Sequence, residues 1–334
     1  MKQVVCGFSH FDHTKFFASS LPSFIMAPSK ESELLATVFK ELAAKMPEDP
    51  YISRALYDHL QDVATEAPGV TFEDLVLPNS GKQYRGPAKW VRPANGSTRH
   101  ALLFLHGGGY CFGSPNSHRK MVAHFANACN APALMVDYRM TPEHAYPAAL
   151  DDCMSAYKYL LDQGFEAQNV VVIGDSCGGG LTSTVPLKAM REGLPRPGLS
   201  VALSPWTDVT ATTSKSLQTN ADNDALSTPA TLGMLRGRYL ADGAKAEDPL
   251  ISPIFAGEDE TKKLPPHWIS AAGHDVLLDD GIRIAEKLKG AGVEVELKVH
   301  EGMQHVFEFL AGTAPEANQS IHEIGEWVRK KTGA

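Results

Sequence analysis

The sequence predicts an α/β fold built on a mostly parallel, eight-stranded central sheet flanked by helices. Three observations carry this expectation. From residue 70 onward, short apolar or β-branched runs alternate with stretches of helical periodicity, the pattern of strands joined by crossover helices. The first two runs, residues 70–78 and 84–93, instead flank a turn at Asn79-Ser80-Gly81 and read as a hairpin. Finally, 334 residues with 43% apolar and 21% charged side chains suffice to bury a large core.

Taken in order, residues 1–65 read as helical and amphipathic. Leu34, Leu35, Val38, Phe39, Leu42 and Met46 recur at helical spacing, as do Ile52, Leu56, Leu60 and Val63. Phe8, Phe11, Phe16, Phe17 and Phe24 precede them. Core packing explains such stripes; the sharper reading is an N-terminal cap over an apolar pocket. After the hairpin, residues 101–105, 133–137, 170–173, 199–203, 268–271 and 293–299 supply six further strands, with helical patterns between, among them 147–161 and 280–289. One interval breaks the rhythm. About sixty residues separate the strand ending near Leu203 from the one starting near His267, too many for one crossover helix. Residues 206–263 therefore read as an insertion, and long insertions in compact domains tend to be lids.

A net charge of −8 gives no basic surface for nucleic acid. No run of 18 apolar residues is present to span a membrane, and the N-terminus lacks the apolar run of a secretion signal. The cysteines, Cys6, Cys111, Cys129, Cys153 and Cys177, are odd in number and widely spaced, which suggests neither a disulfide framework nor a zinc site. A cytoplasmic location is expected on these grounds. His10, Asp12 and His13 could be imagined as metal ligands, but no partner cluster supports them, so neither metal nor cofactor is expected.

The chemistry concentrates in two glycine-rich turns. Residues 170–173 are β-branched and run into Gly174-Asp175-Ser176-Cys177-Gly178 before a helical stretch. This is G-x-S-x-G between strand and helix, the nucleophile-elbow motif, which lifts a serine on a sharp turn and points a helix N-terminus at a developing oxyanion. It lacks the Lys-Ser/Thr ending of a phosphate-binding loop and has no G-x-G-x-x-G. Chance matches to G-x-S-x-G are common, so context must decide. Upstream, Leu102-Leu103-Phe104-Leu105 leads into His106-Gly107-Gly108-Gly109-Tyr110. Consecutive glycines let backbone N–H groups approach a tetrahedral oxygen, as acyl transfer requires.

These two turns, with Tyr138-Arg139-Met140-Thr141-Pro142-Glu143-His144, Ala148-Ala149-Leu150-Asp151-Asp152 and Leu203-Ser204-Pro205-Trp206-Thr207-Asp208, resemble the hormone-sensitive-lipase-like carboxylesterases of the α/β-hydrolase superfamily. The resemblance runs from about residue 70 to the end. It implies an α/β-hydrolase domain at 66–205 and 264–334, with a helical cap made of 1–65 and 206–263. Triad members on this fold follow in the order serine, acid, histidine. Asp275 lies just past the strand 268–271, and Asp275-Val276-Leu277-Leu278-Asp279-Asp280 resembles the family's acid motif, whose first Asp is catalytic. Asp279 and Asp280 are expected to open the next helix. His305 lies in a loop beside Val306-Phe307, as in the family, with His300 at the strand end as the alternative base.

The resemblance thus implies Ser176 as nucleophile, His305 as base and Asp275 orienting it, with N–H groups of Gly108, Gly109 and Cys177 as oxyanion donors. Tyr110 and Trp206 are expected at the substrate pocket, although core packing competes for Trp206. Arg139, Glu143 and Asp152, in family motifs near the glycine loop, are expected to give structural support by ion pairs and hydrogen bonds, with catalysis as the alternative. Cys177 stands where the family carries alanine; a reactive thiol at a helix N-terminus and an inert buried one are both open readings. Pro186 falls inside the following helix and should kink it or remove a hydrogen bond near Thr182. The implied activity is hydrolysis of short- to medium-chain carboxylic esters, small molecules, by a chain for which a homodimer is unsurprising. An amide, lactone or acetyl-group hydrolase with the same triad is the alternative. A non-catalytic binder, like the plant gibberellin receptors that lose the histidine, is disfavoured by His305.

Overall fold

The structure, a computed structural model, describes residues 27–47, 49–77, 86–210 and 214–333. The phenylalanines before residue 27, the His10–Asp12–His13 group, Cys6 and the turn at residues 79–81 lie outside them.

The described residues form one eight-stranded sheet: β1 (Val70–Val76), β2 (Pro87–Pro93), β3 (Ala101–Leu105), β4 (Ala133–Val136), β5 (Val170–Asp175), β6 (Leu199–Leu203), β7 (His267–Ala272) and β8 (Val295–His300), in the order β1-β2-β4-β3-β5-β6-β7-β8. β2 runs antiparallel to both β1 and β4; every other pairing is parallel. This is the mostly parallel, eight-stranded sheet that the alternation of strands and helices anticipates. Central strands β3, β5 and β6 bury every residue, as strands covered on both faces must. Edge strand β8 alternates half-buried and exposed residues instead.

Ten α-helices accompany the sheet among the described residues: α1 (Lys30–Lys45), α2 (Pro50–Tyr57), α3 (Pro115–Cys129), α4 (Ala148–Asp162), α5 (Cys177–Arg191), α6 (Ser216–Thr219), α7 (Pro229–Tyr239), α8 (Glu258–Thr261), α9 (Leu278–Gly290) and α10 (Pro315–Thr332). None of the described helices is long and apolar enough to cross a membrane. Strand residues of alternate parity serve the two faces. Leu102, Phe104, Val171 and Ile173 pack with Met121 and Phe125 of α3, Ile324 and Trp327 of α10, and Leu35 and Phe39 of α1. Leu103, Leu105 and Val172 meet Leu150 and Tyr157 of α4, Leu181 and Val185 of α5, and Leu232 and Tyr239 of α7. α9 joins this second face through Ile284 and Leu288 against Ala202 and Ile269.

Helix starts follow their sequence signals. Ser114 caps α3, accepting from the Asn116 and Ser117 N–H groups, with Pro115 in the first turn. Inside α5, Pro186 has no N–H for the Thr182 carbonyl, which accepts from the Ser200 hydroxyl at 2.8 Å instead. The orphaned acceptor is satisfied, and the helix continues to Arg191. Within the long interval before β7, Leu217 of α6 and Leu232 and Tyr239 of α7 pack on the second face, whereas Ile254, Ala256 and Leu264 pack against Ile284, Ala285 and Leu288.

Candidate active site

The turn between β5 and α5 is built by steric exclusion. Ser176 has φ 55° and ψ −121°, left-handed for a residue with a side chain. Three bonds pin it: its N–H donates to Leu203 O (2.8 Å), and its carbonyl accepts from Gly180 N–H (3.1 Å) and Trp206 N–H (2.8 Å). A Cβ on Gly178 would strike the carbonyl oxygens of Leu105 and His106, and one on Gly174 those of Gly178 and Leu105. The two glycines of G-x-S-x-G are thus the positions at which β3, β5 and α5 leave no space for a Cβ.

The glycine loop after β3 is held from behind. Gly107 N–H donates to Asp175 Oδ1 at 3.0 Å, and Asp175 Oδ2 lies 3.3 Å from His118 Nε2, both side chains buried. His106 stacks on Tyr138 with ring centroids 4.0 Å apart, and burial pulls its pKa down to about 3, so it is a neutral packing element. Gly108 and Gly109 have φ +108° and +59°, and Leu235 presses where a Gly109 Cβ would stand.

Past β7 and β8, two loops bring Asp275 and His305 together. His305 Nδ1 lies 2.7 Å from Asp275 Oδ2, with Asp275 fully buried and His305 3% exposed. The other Asp275 oxygen accepts from Leu277 N–H at 2.8 Å. Burial alone pulls the His305 pKa down, but the Asp275 carboxylate, with Asp224 and Asp175 further off, outweighs it and lifts it to about 9. Asp279 and Asp280 lie in the first turn of α9. There Asp280 accepts from Thr207 and Asp208 N–H, and Asp279 from Lys215 and Ser216 N–H, so both carboxylates clamp loops.

Ser176, His305, Gly108 and Gly109 all border one cavity of about 150 Å³. Its walls are Tyr57, Phe112 and Trp206. The roof comes from Ala43 and Met46 at the end of α1 and from Leu226, Ser227 and the α7 residues Thr231, Leu232, Met234 and Leu235. The lining is mostly apolar, apart from a few convergent polar groups, as in small-molecule sites generally. Among the described residues, no three His, Cys, Asp or Glu side chains gather as metal ligands.

Two expectations need correction. Tyr110 does not border this cavity: it is 2% exposed, and its ring is stacked 3.6 Å from that of Tyr239, beneath α7. Its place right after the glycines suggested a pocket residue, but its left-handed backbone (φ 61°) turns the ring into the core. His300, the alternative base, packs its ring against Phe307 at a 50° tilt (centroids 4.7 Å) and does not border the cavity, and burial lowers its pKa. Of the two readings of Cys177, burial selects the inert one by lifting its thiol pKa to about 12. Arg139 forks onto Asp152 (2.8 Å), and Glu143 pairs with Arg54 of α2 (2.7 Å). Sequence reasoning missed Tyr57, Phe112 and the buried Asn220, Asp224 and Gln304, none of which falls in a motif.

Residues 102–309 match a family described as alpha/beta hydrolase fold. An acetyl-hydrolase of Streptomyces hygroscopicus is 37% identical over 247 residues, 74% of this chain and 80% of the relative. Esterase LipU of Mycobacterium tuberculosis is 36% identical over 264 residues, 77% and 86% of the two chains. The crystal structure of an esterase from the bacterial hormone-sensitive lipase family superposes with a TM-score of 0.85 at 34% identity, covering 92% of this chain and all of that one. With motifs, sheet order and relatives in agreement, the chain belongs to the hormone-sensitive-lipase-like carboxylesterases, a family of carboxylic ester hydrolases on the α/β-hydrolase fold.

Proposed function

We propose that this chain hydrolyses short- to medium-chain carboxylic esters through an acyl-enzyme, with Ser176 as nucleophile, His305 as general base and Asp275 orienting it. The observation that carries the reading is the buried 2.7 Å Asp275–His305 pair, whose His305 borders the same cavity as the strained Ser176. Asp275 fixes the imidazole proton on Nδ1, leaving Nε2 to take the Ser176 hydroxyl proton as Oγ bonds to the ester carbonyl carbon. Backbone N–H groups of Gly108, Gly109 and Cys177 receive the oxyanion, each such donor contributing about 3 kcal/mol. Collapse breaks the bond to the alcohol oxygen, which takes the proton from Nε2. Water then attacks the acyl carbon by the same route and releases the acid.

The small apolar cavity supports short acyl groups, and a relative whose name is acetyl-hydrolase points the same way. The test is hydrolysis of p-nitrophenyl esters of increasing acyl length by wild type and Ser176→Ala. Turnover strongest on short chains, and lower by about 10⁴-fold or more in the variant, is expected. Equal rates in both proteins would contradict the assignment.

A further inference from the structure

The stretch between α6 and α7 carries buried polar side chains that the steps above do not use, and they converge on the two loops bearing Asp275 and His305. Asn220 donates its amide to the carbonyl oxygens of Gly273 (2.9 Å) and Asp275 (2.8 Å). Asp224 accepts from Val276 N–H through Oδ2 (3.0 Å) and from Leu226 and Ser227 N–H through Oδ1 (2.9 and 2.8 Å). Gln304, the residue before His305, accepts from Ala225 N–H (2.9 Å) and donates to the Asn223 carbonyl (3.0 Å).

A clamp alone can be made from neutral amides, as Asn220 and Gln304 show. A carboxylate is the costlier choice in a buried position, because its charge loses hydration. Burial, then the charge of Asp275, push the Asp224 carboxyl up to about 6, against the pull of His305 and the N–H groups of Ser227 and Val276. Chain neighbours bring Asp224 close to the pair: it accepts from Val276, the residue after Asp275, and its own neighbour Ala225 donates to Gln304, the residue before His305. Its charge thus acts on the imidazole in the same direction as that of Asp275. Its hydrogen-bond partners Leu226 and Ser227 border the cavity.

We infer that Asp224 is a positioning residue of the acid–base pair: from the segment that roofs the cavity, its carboxylate fixes the Asp275 loop and adds a second negative charge beside His305. This rests on the reading of Ser176, His305 and Asp275 as a triad. The imidazolium formed during acyl transfer then feels two carboxylates, and Asp224 joins the substrate-facing residues Leu226 and Ser227 to the Asp275 loop through a single carboxylate.

The test is the pH dependence of kcat and kcat/KM on p-nitrophenyl butyrate for wild type, Asp224→Asn, Asp224→Glu, Asn220→Ala and Ser176→Ala. Asp224→Asn is expected to lower kcat about tenfold with KM within about twofold. Its acidic limb should move down by about half a pH unit or more, because the imidazolium loses a stabilising charge. Asp224→Glu restores the charge and returns the limb towards wild type; Asn220→Ala removes only neutral bonds and leaves it in place. An unmoved limb in folded Asp224→Asn overturns the inference, whatever happens to its melting temperature. If Asp224→Asn does not fold, the downfield Nδ1–H proton resonance of wild-type His305 decides. A second inflection near pH 6, where Asp224 takes up its proton, is expected, and its absence overturns the inference. Wild-type turnover in Ser176→Ala would overturn the triad and this inference together. With Ser176→Ala inert, an unmoved limb counts against Asp224 alone.

Discussion

Around Ser176 the chain is fixed by backbone: N–H and carbonyl groups of Leu203, Gly180 and Trp206 hold the serine, and Gly174 and Gly178 leave no room for a side chain. Across the cavity, the stretch from Lys215 to Ser227 is fixed by side chains: Ser216, Asn220, Asp224, Asp279 and Gln304 tie it to the loops after β7 and β8. The floor is a crossing of main chains whose geometry is set by the absence of Cβ atoms. The roof is a docked segment whose place depends on a handful of polar contacts. Adding a Cβ to a floor glycine should therefore break the protein or its chemistry outright, whereas substitutions on the roof should retune it.

The largest effect is expected at the floor. Gly178→Ala puts a methyl group into the Leu105 and His106 carbonyl oxygens. It should cost about 3 kcal/mol or more, together with most of the activity, read by denaturant melts and ester turnover. A variant that melts like wild type would show the crossing to be slacker than described.

Next in size is the pH response where floor and roof meet. A protonated His305 cannot accept the Ser176 proton, so kcat/KM should rise with pH through the His305 pKa, raised to about 9. A pH–rate profile with its acidic limb above the ordinary imidazole value of about 6.5 is the expected outcome. A limb at or below that value would mean that the carboxylates around His305 do not act together.

Smaller effects belong to the roof. Leu235→Ala shortens a side chain that borders the cavity and presses on Gly109. It should raise kcat/KM for longer acyl chains relative to acetyl by about threefold to tenfold, since each methylene accommodated contributes about 1 kcal/mol. Smallest of all is the effect expected back on the floor at Cys177→Ala, which shortens a side chain instead of adding one and should keep turnover within about twofold, because the donor is the backbone N–H. In keeping with its burial, native Cys177 should resist iodoacetamide until the chain unfolds, as peptide mapping would show.

The same contrast explains what was legible in the sequence. β3, β5 and β6 are short apolar runs, and the helices between the strands carry periodic signals, so sheet and layers could be read from the sequence. The elbow and the glycine loop were legible because steric exclusion by backbone leaves glycine at fixed spacing. Asp224, Asn220 and Gln304 were not, because a side-chain clip to a distant carbonyl has no period and no neighbouring signature; Asn220 and Asp275 meet only through the docking of two loops. Tyr110 misled for a related reason. Adjacency to the glycines placed it near the site, while its φ of 61° sent the ring to Tyr239 instead. Pro186 announced a lost helical bond, but the replacement donor, Ser200 on β6, was visible only once strand and helix had packed.

The assignment of Ser176, His305 and Asp275 to one reaction is tested most directly by diethyl p-nitrophenyl phosphate, which phosphorylates an activated serine and releases p-nitrophenolate. The expected result is stoichiometric release, loss of ester hydrolysis in parallel, and a diethylphosphoryl group mapped to Ser176, with labelling slowed by about 10³-fold or more in His305→Ala. Ester hydrolysis that survives full labelling, or a label that maps to another residue, would contradict it.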